Sequence, residues 1–171
     1  EQYTTRGADR LTMLFSANVG ETEKPLEKIA SGGELSRIAL AIKSIVAARD
    51  TDGTSMVFDE IDTGIGGRTA QMFAERIAFV AQYKQVLCIT HLPQIACMAD
   101  VHLYIAKSVV DGATVTRVEP LSEKERVREI ARMASGDDVT WAALANARTM
   151  LAGAATKKKE LKQLEIGMRS G

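Results

Sequence analysis

Two short apolar runs, Ser55-Met-Val-Phe58 and Gln85-Val-Leu-Cys-Ile-Thr90, flank a stretch from Ala70 to Tyr83 in which Met72, Phe73, Ile77 and Val80 recur at helical spacing. Each run is continuous rather than alternating, the pattern of a strand buried on both faces of a parallel sheet. Strands alternating with helices in this way point to an α/β fold with a largely parallel sheet flanked by helices. Both runs lead into polar residues, Asp59-Glu60 and Thr90-His91. The carboxyl ends of parallel strands are where such sheets bind ligands.

The chain has 171 residues, 46% hydrophobic and 26% charged. That is about one domain, able to bury roughly 70% of its unfolded surface, and it excludes a disordered acidic tail or a disulfide-stapled miniprotein. Twenty-two Lys and Arg balance twenty-two Asp and Glu, so bulk charge says nothing about a nucleic-acid partner. Cys88 and Cys97 lie in apolar stretches and are too few for a disulfide framework, which predicts a reducing, cytoplasmic compartment. No apolar run approaches the roughly 18 residues of a membrane span, so no membrane partner is expected. The chain starts Glu-Gln-Tyr, with neither a signal peptide nor a starting methionine, and is expected to be a piece of a longer protein.

The remaining pattern fills in around this unit. Leu11 to Ala17 reads as a strand, followed by a loop with Gly20 and Pro25. Leu35, Ile38, Ala39, Ile42, Ile45 and Val46 form the stripe of a helix from Ser31 to about Asp50. Asp50 to Gly53 reads as a turn, and Pro93 opens a short helix to about Ala99. Val101 to Ala106 reads as a third strand, and Asp111-Gly112 leads into the alternating Thr114 to Val118 as a hairpin. Ser122-Glu-Lys-Glu125 is a capping box opening a helix to about Ser135, in which interleaved Glu and Arg residues, Arg126 among them, suggest a solvated face. A last helix from about Thr140 carries Trp141, Leu144, Ala145, Arg148 and Leu151 along one side, with Trp141 and Phe73 expected in the core. From residue 153 onward the chain is basic and reads as a flexible tail.

Three polar signals carry chemistry. Ser31-Gly32-Gly33 opens a helix, where close backbone approach and free N–H groups suit an anion; taken alone, a serine N-cap is the simpler reading. Asp59 and Glu60 alternate in direction at a strand end, so one can hold a hydrated Mg²⁺ while the other faces a water. Taken alone they also fit a solvated turn. His91 stands where an imidazole can meet a phosphate, or simply serve the structure. A zinc site from Cys88, His91 and Cys97 lacks the usual spacing and a fourth ligand.

Their order and spacing say more than each alone: Ser31 lies 28 residues before Asp59, and His91 lies 32 after it. With that spacing, residues 10–152 resemble the C-terminal lobe of an ABC-type ATPase head, a P-loop NTPase fold, of the SMC-like kind. Ala30-Ser-Gly-Gly-Glu34 matches the signature motif, Asp59-Glu60 the end of the Walker B strand, Ile61-Asp-Thr-Gly64 the start of the D-loop and His91 the switch histidine. General SMC heads carry an aspartate where this chain has Gly66. The run Gly64-Ile-Gly-Gly67 is instead similar to that of bacterial SMC-like DNA repair proteins.

The resemblance implies roles. Asp59 would hold Mg²⁺ through water, Glu60 would act as catalytic base, and His91 would contact the γ-phosphate of ATP in the same head. Ser31, Gly32 and Gly33, with Glu34 in the same motif, would meet the nucleotide of a second head, and Asp62 in the D-loop would line the nucleotide site. It further implies an ATP-dependent homodimer of heads acting on DNA in double-strand break repair and recombination, associated with the nucleoid. No Gly-x-x-x-x-Gly-Lys-Ser/Thr occurs, and no Gly-Lys pair at all, so the cradle for the β- and γ-phosphates would come from an N-terminal lobe. Two rival expectations stand beside this one: a non-enzymatic interaction lobe, and the head of another SMC-type chromosome protein.

Overall fold

The computed structural model describes residues 7–9, 11–16, 20–28, 31–47 and 53–169. Ala17, Ala30, Asp50 to Asp52 and the last two residues of the expected tail lie outside the described residues. The elements in chain order are β1 (Leu14–Phe15), β2 (Lys24–Pro25), a 3-10 turn (Leu26–Lys28), α1 (Gly32–Val46), β3 (Met56–Phe58), α2 (Gly67–Val80), β4 (Val86–Cys88), α3 (Pro93–Ala96), β5 (Leu103–Val110), β6 (Ala113–Pro120), α4 (Glu123–Ser135) and α5 (Trp141–Arg169). The α/β class read from the sequence is the class observed.

Strands β3 and β4 pair in parallel, with Met56 opposite Val86 and Phe58 opposite Cys88, and α2 is the crossover between them. Alanines make the crossover helix pack closely: Ala70, Ala74 and Ala78 are buried on α2 beside Ile77 and Val80. Around it gather Phe58, Ile61, Ile95 to Met98, Ile130, Ala131, Ala147 and Ala154, which form the core. Leu40, Ile61, Ile130 and Val80 are its largest fully buried side chains.

The strand after α3 does not extend the parallel pair. Among the described residues β5 pairs only with β6, antiparallel from Leu103↔Pro120 to Val110↔Ala113. Asp111 (φ 51°) and Gly112 (φ 79°) close the hairpin, both left-handed as a type I′ turn requires. This local pairing satisfies one edge of β5. A separate antiparallel pair joins β1 and β2.

Helices α4 and α5 form a packed hairpin. The expected capping box is present: Ser122 Oγ accepts from the Glu125 N–H, and a Glu125 carboxylate oxygen accepts from the Ser122 N–H at 2.8 Å. Helix α5 runs unbroken to Arg169, so the tail expected from residue 153 begins inside a helix. Ala147, Ala154 and Leu161, seven residues apart, continue the inward stripe, while Lys157 pairs with Glu75 (3.7 Å) and Lys158 with Asp100. Trp141 is 82% exposed, against the expectation of a core tryptophan. It is the first residue of α5, directly after the 136–140 connection, and the inward stripe starts only at Ala143 and Leu144.

Two apolar surfaces are left open. On β3–β4 the side chains of one face are uncovered, with Val57 64% and Leu87 50% exposed, although a parallel sheet is ordinarily covered on both faces. On α1 only Gly33 and Leu40 are buried, and Leu35, Ile42, Ile45 and Val46 of the expected stripe stand exposed. Among the described residues no helix is long and apolar enough to cross a membrane.

Candidate functional site

The carboxyl ends of β3 and β4 and the start of α1 meet at one edge. Ser31 caps α1, its Oγ accepting from the Glu34 N–H at 3.2 Å. An accepting hydroxyl keeps its own hydrogen to donate, and the first-turn N–H groups of a helix have no partner within it. The simpler reading of Ser31 as an N-cap and the anion-binding reading are therefore compatible. Glu34 sits half-buried in the same first turn.

The turn after β3 is tied to α1 by three hydrogen bonds. Ser36 Oγ donates to the Asp59 carbonyl at 3.0 Å, and the Arg37 guanidinium donates to the carbonyls of Ile61 (3.3 Å) and Thr63 (2.9 Å). Gly33 explains how close the two segments come: a Cβ there would lie 2.8 Å from the Glu60 carbonyl oxygen, and one on Gly32 would lie 2.9 Å from Glu60 Oε2. The first contact is with backbone, which cannot swing away, so Gly33 is fixed by close approach. Ser36 and Arg37 gave no functional signal in the sequence.

Asp59 and Glu60 are exposed at the end of β3. Glu60 adopts a left-handed backbone (φ 56°), a conformation that costs a non-glycine residue about 1–2 kcal/mol. It is held by its own N–H donating to Asp59 Oδ1 at 2.9 Å and by its carbonyl accepting from the Thr63 N–H at 3.1 Å. Glu60 Oε2 lies close to Gly32, and among the described residues only one Asp59 carboxylate oxygen, Oδ1, accepts a hydrogen bond. A single carboxylate with an open oxygen suits Mg²⁺, which keeps most of its waters. Among the described residues no cluster of three or more His, Cys, Asp or Glu side chains is gathered for direct metal ligation.

Asp62 joins this turn to the end of β4. Its side chain is 5% exposed, and Oδ2 accepts from Thr90 Oγ1 (2.6 Å) and from the His91 N–H (2.8 Å) and lies 3.0 Å from His91 Nδ1. The His91 side chain is itself 73% exposed. Burial pushes the Asp62 carboxyl up, but the bonds from Thr90 and His91 and the His91 charge outweigh it and hold it below the usual range. Cys88 is pushed up to about 12 by burial and by the negative charges of Asp62 and Asp59. Burial takes Cys97 to about 11, against the charge of Arg126. Both thiols are therefore protonated at neutral pH and neither is a nucleophile.

Ser31, Gly32 and Gly33, the Asp59–Thr63 turn and His91 thus form one edge linked by hydrogen bonds, although they are 28 and 32 residues apart in sequence. Arg126 is a further residue whose role the sequence hid. Instead of facing solvent it turns inward, and its Nη2 donates to the carbonyls of Ala96 (3.3 Å), Cys97 (3.0 Å) and Ala99 (2.6 Å) at the end of α3, the helix that follows His91.

No protein-family model matches the chain. It is 55% identical over 150 residues to the DNA repair protein RecN of Bacillus subtilis, covering 88% of this chain and 26% of that protein. The chain belongs to the RecN family. The DNA repair protein RecN of Deinococcus radiodurans is 48% identical over 86% of the chain, and that of Treponema pallidum 44% over 90%. The chain spans about a quarter of the length of these RecN proteins. A solved SMC ATPase structure, from work on ATP-driven dimerization and DNA-stimulated activation, is 25% identical over 68% of each chain with a TM-score of 0.45.

Proposed function

We propose that this RecN-family chain is the C-terminal lobe of an ATP-hydrolysing, SMC-like head that acts in DNA double-strand break repair and recombination. The observation that carries the reading is the hydrogen-bonded edge in which the α1 start, Asp59-Glu60 and His91 are held together. Asp59 offers an exposed carboxylate oxygen to a hydrated Mg²⁺, an ion that when bound would neutralise phosphate charge. Glu60, exposed beside it, is placed to orient and deprotonate the attacking water. His91 meets the γ-phosphate from the end of β4. The Ser31 hydroxyl and the Gly32 and Gly33 N–H groups meet the nucleotide of a second head, stabilising anionic charge without reorganisation.

The lobe cannot hold the β- and γ-phosphates by itself, because it has no Gly-Lys cradle. An N-terminal lobe of the same head supplies it. The open faces of β3–β4 and α1 support that partner, since apolar surface of this kind is ordinarily covered. ATP then acts as a reversible link between heads: binding completes the site across two protomers, and hydrolysis releases them. DNA is a partner of the complete protein, in the cytoplasm and at the nucleoid.

The shared site is tested by mixing two variants of a complete RecN-family protein. Ser31→Arg spoils the signature turn and Glu60→Gln spoils the base, so each homodimer has two defective sites. A mixed dimer has one intact site, composed of Glu60 from one head and Ser31 from the other. Recovery of ATP turnover on mixing is expected. Two inactive variants whose mixture stays inactive, while forming mixed dimers, would place Ser31 and Glu60 in the same site within one head.

A further inference from the structure

The buried carboxylate of Asp62 has a geometry that nucleotide contact does not explain. All three of its polar neighbours at Oδ2 come from Thr90 and His91, and it is nearly sealed from solvent. Thr90 Oγ1 both donates to Asp62 and accepts from the Leu92 N–H at 3.0 Å, so the whole 90–92 turn is organised around this one oxygen. A carboxylate oxygen accepts only: Oδ2 takes hydrogen bonds from Thr90 Oγ1 and the His91 N–H, and the His91 ring nitrogen Nδ1 lies 3.0 Å from it, where a lone pair on nitrogen would be repelled and a hydrogen is favoured.

We infer that Asp62 is a positioning residue for His91, fixing the imidazole with its hydrogen on Nδ1 and presenting Nε2 to the ATP site. The inference rests on the reading of His91 as the γ-phosphate contact. With Nδ1 committed to Asp62, Nε2 is the atom left at the exposed end of the ring: neutral, it accepts a proton, and protonated, it donates to a phosphate oxygen. The arrangement follows the general rule that the tautomer of a histidine is set by the bond its other nitrogen makes. It also gives Asp62 a part in the site without touching nucleotide.

The tautomer can be read on this chain directly. It has two histidines, His91 and His102, so ¹⁵N-histidine labelling and long-range ¹H–¹⁵N correlation above pH 8 give two assignable patterns. His91 is expected to show a protonated Nδ1 and a bare Nε2. In Asp62→Asn the Nε2–H form is expected to take over, with the His102 pattern unchanged as a check on folding. A wild-type His91 carrying its hydrogen on Nε2 would overturn the inference, and does so even if the variant fails to fold. An Asp62→Asn spectrum identical to wild type would overturn it too. In a complete protein, Asp62→Asn is expected to lower kcat roughly tenfold with KM for ATP changed less than about twofold. Combined with His91→Ala it should add nothing, the signature of one residue acting through the other. Full turnover in His91→Ala would instead remove the reading of His91 as a phosphate contact, while the tautomer result would still decide what Asp62 does to the ring.

Discussion

Glu60→Gln in a complete RecN-family protein is expected to reduce ATP turnover by about 10²-fold or more, while dimers with ATP bound accumulate. Glutamine matches the glutamate in size and keeps the left-handed turn at residue 60 no more strained than before. It cannot take a proton from water. On the proposed reading binding should survive and hydrolysis should fail, because the α1 start, Asp59 and His91, the proposed nucleotide contacts, keep their places. Phosphate release measures the first effect and size-exclusion chromatography with saturating ATP and Mg²⁺ the second. Monomers under those conditions, or turnover near wild type, would contradict the assignment of Glu60.

Arg126→Ala is expected to be the most damaging single change to the fold outside the apolar core. One guanidinium nitrogen holds three carbonyls at the end of α3, and bonds from a charged donor contribute about 1.5–3 kcal/mol each before the shared donor is discounted. Truncation leaves these carbonyls short of a donor in a partly buried place, and a loss of about 2–4 kcal/mol follows. For a chain of this size that lowers Tm by roughly 5–15 °C. Arg132 on the same helix, itself exposed and paired bidentately with the mostly buried Glu129, is a built-in comparison, because Arg132→Ala should cost about 1 kcal/mol, less than loss of the Arg126 clamp. Thermal unfolding followed by circular dichroism separates the two. Equal small shifts would mean that the Arg126 clamp contributes no more than a surface ion pair.

The contrast between these two arginines shows where sequence reading stops. Both stand among alternating acids and bases on α4, and the charge pattern alone puts both in water. What separates them is the end of α3, some 27 to 30 residues earlier in the chain, whose carbonyls need a donor. Local patterns were enough for α1, α2, the strands β3 and β4, the capping box and the Asp111-Gly112 hairpin, because each is fixed by neighbours in sequence, whereas the pairing of β3 with β4, which joins residues 30 apart, followed from the strand-helix-strand order. The same patterns misplaced Trp141, which precedes the inward stripe that starts at Ala143 and Leu144, and read the residues after 152 as a tail although α5 continues through them with Ala154 and Leu161 on its inward side. The stripe on α1 was read correctly as apolar, yet it has little to pack on here.

At the site, residue type and spacing singled out Ser31, Asp59, Glu60 and His91, and Asp62 entered only through the resemblance of residues 61–64 to a D-loop. The connections between them were not legible. Ser36, Arg37 and Thr90 act through a hydroxyl or a guanidinium reaching a carbonyl or a carboxylate some 23 to 28 residues away, and no pattern within one element encodes such a reach. Gly33 belongs to the same class. Its need for a hydrogen in place of a Cβ comes from the Glu60 carbonyl, not from its own backbone conformation.

The central claim, that this chain supplies half of an ATP site and depends on a second lobe for the phosphate cradle, is tested most directly by calorimetry. ATP with Mg²⁺ is titrated into the chain alone and then into the chain mixed with a RecN N-terminal lobe. Binding in the mixture and none to either lobe at comparable affinity is the expected result. Tight binding by this chain alone would contradict the claim of a missing cradle, and no binding by a formed two-lobe complex would leave an interaction lobe without nucleotide chemistry.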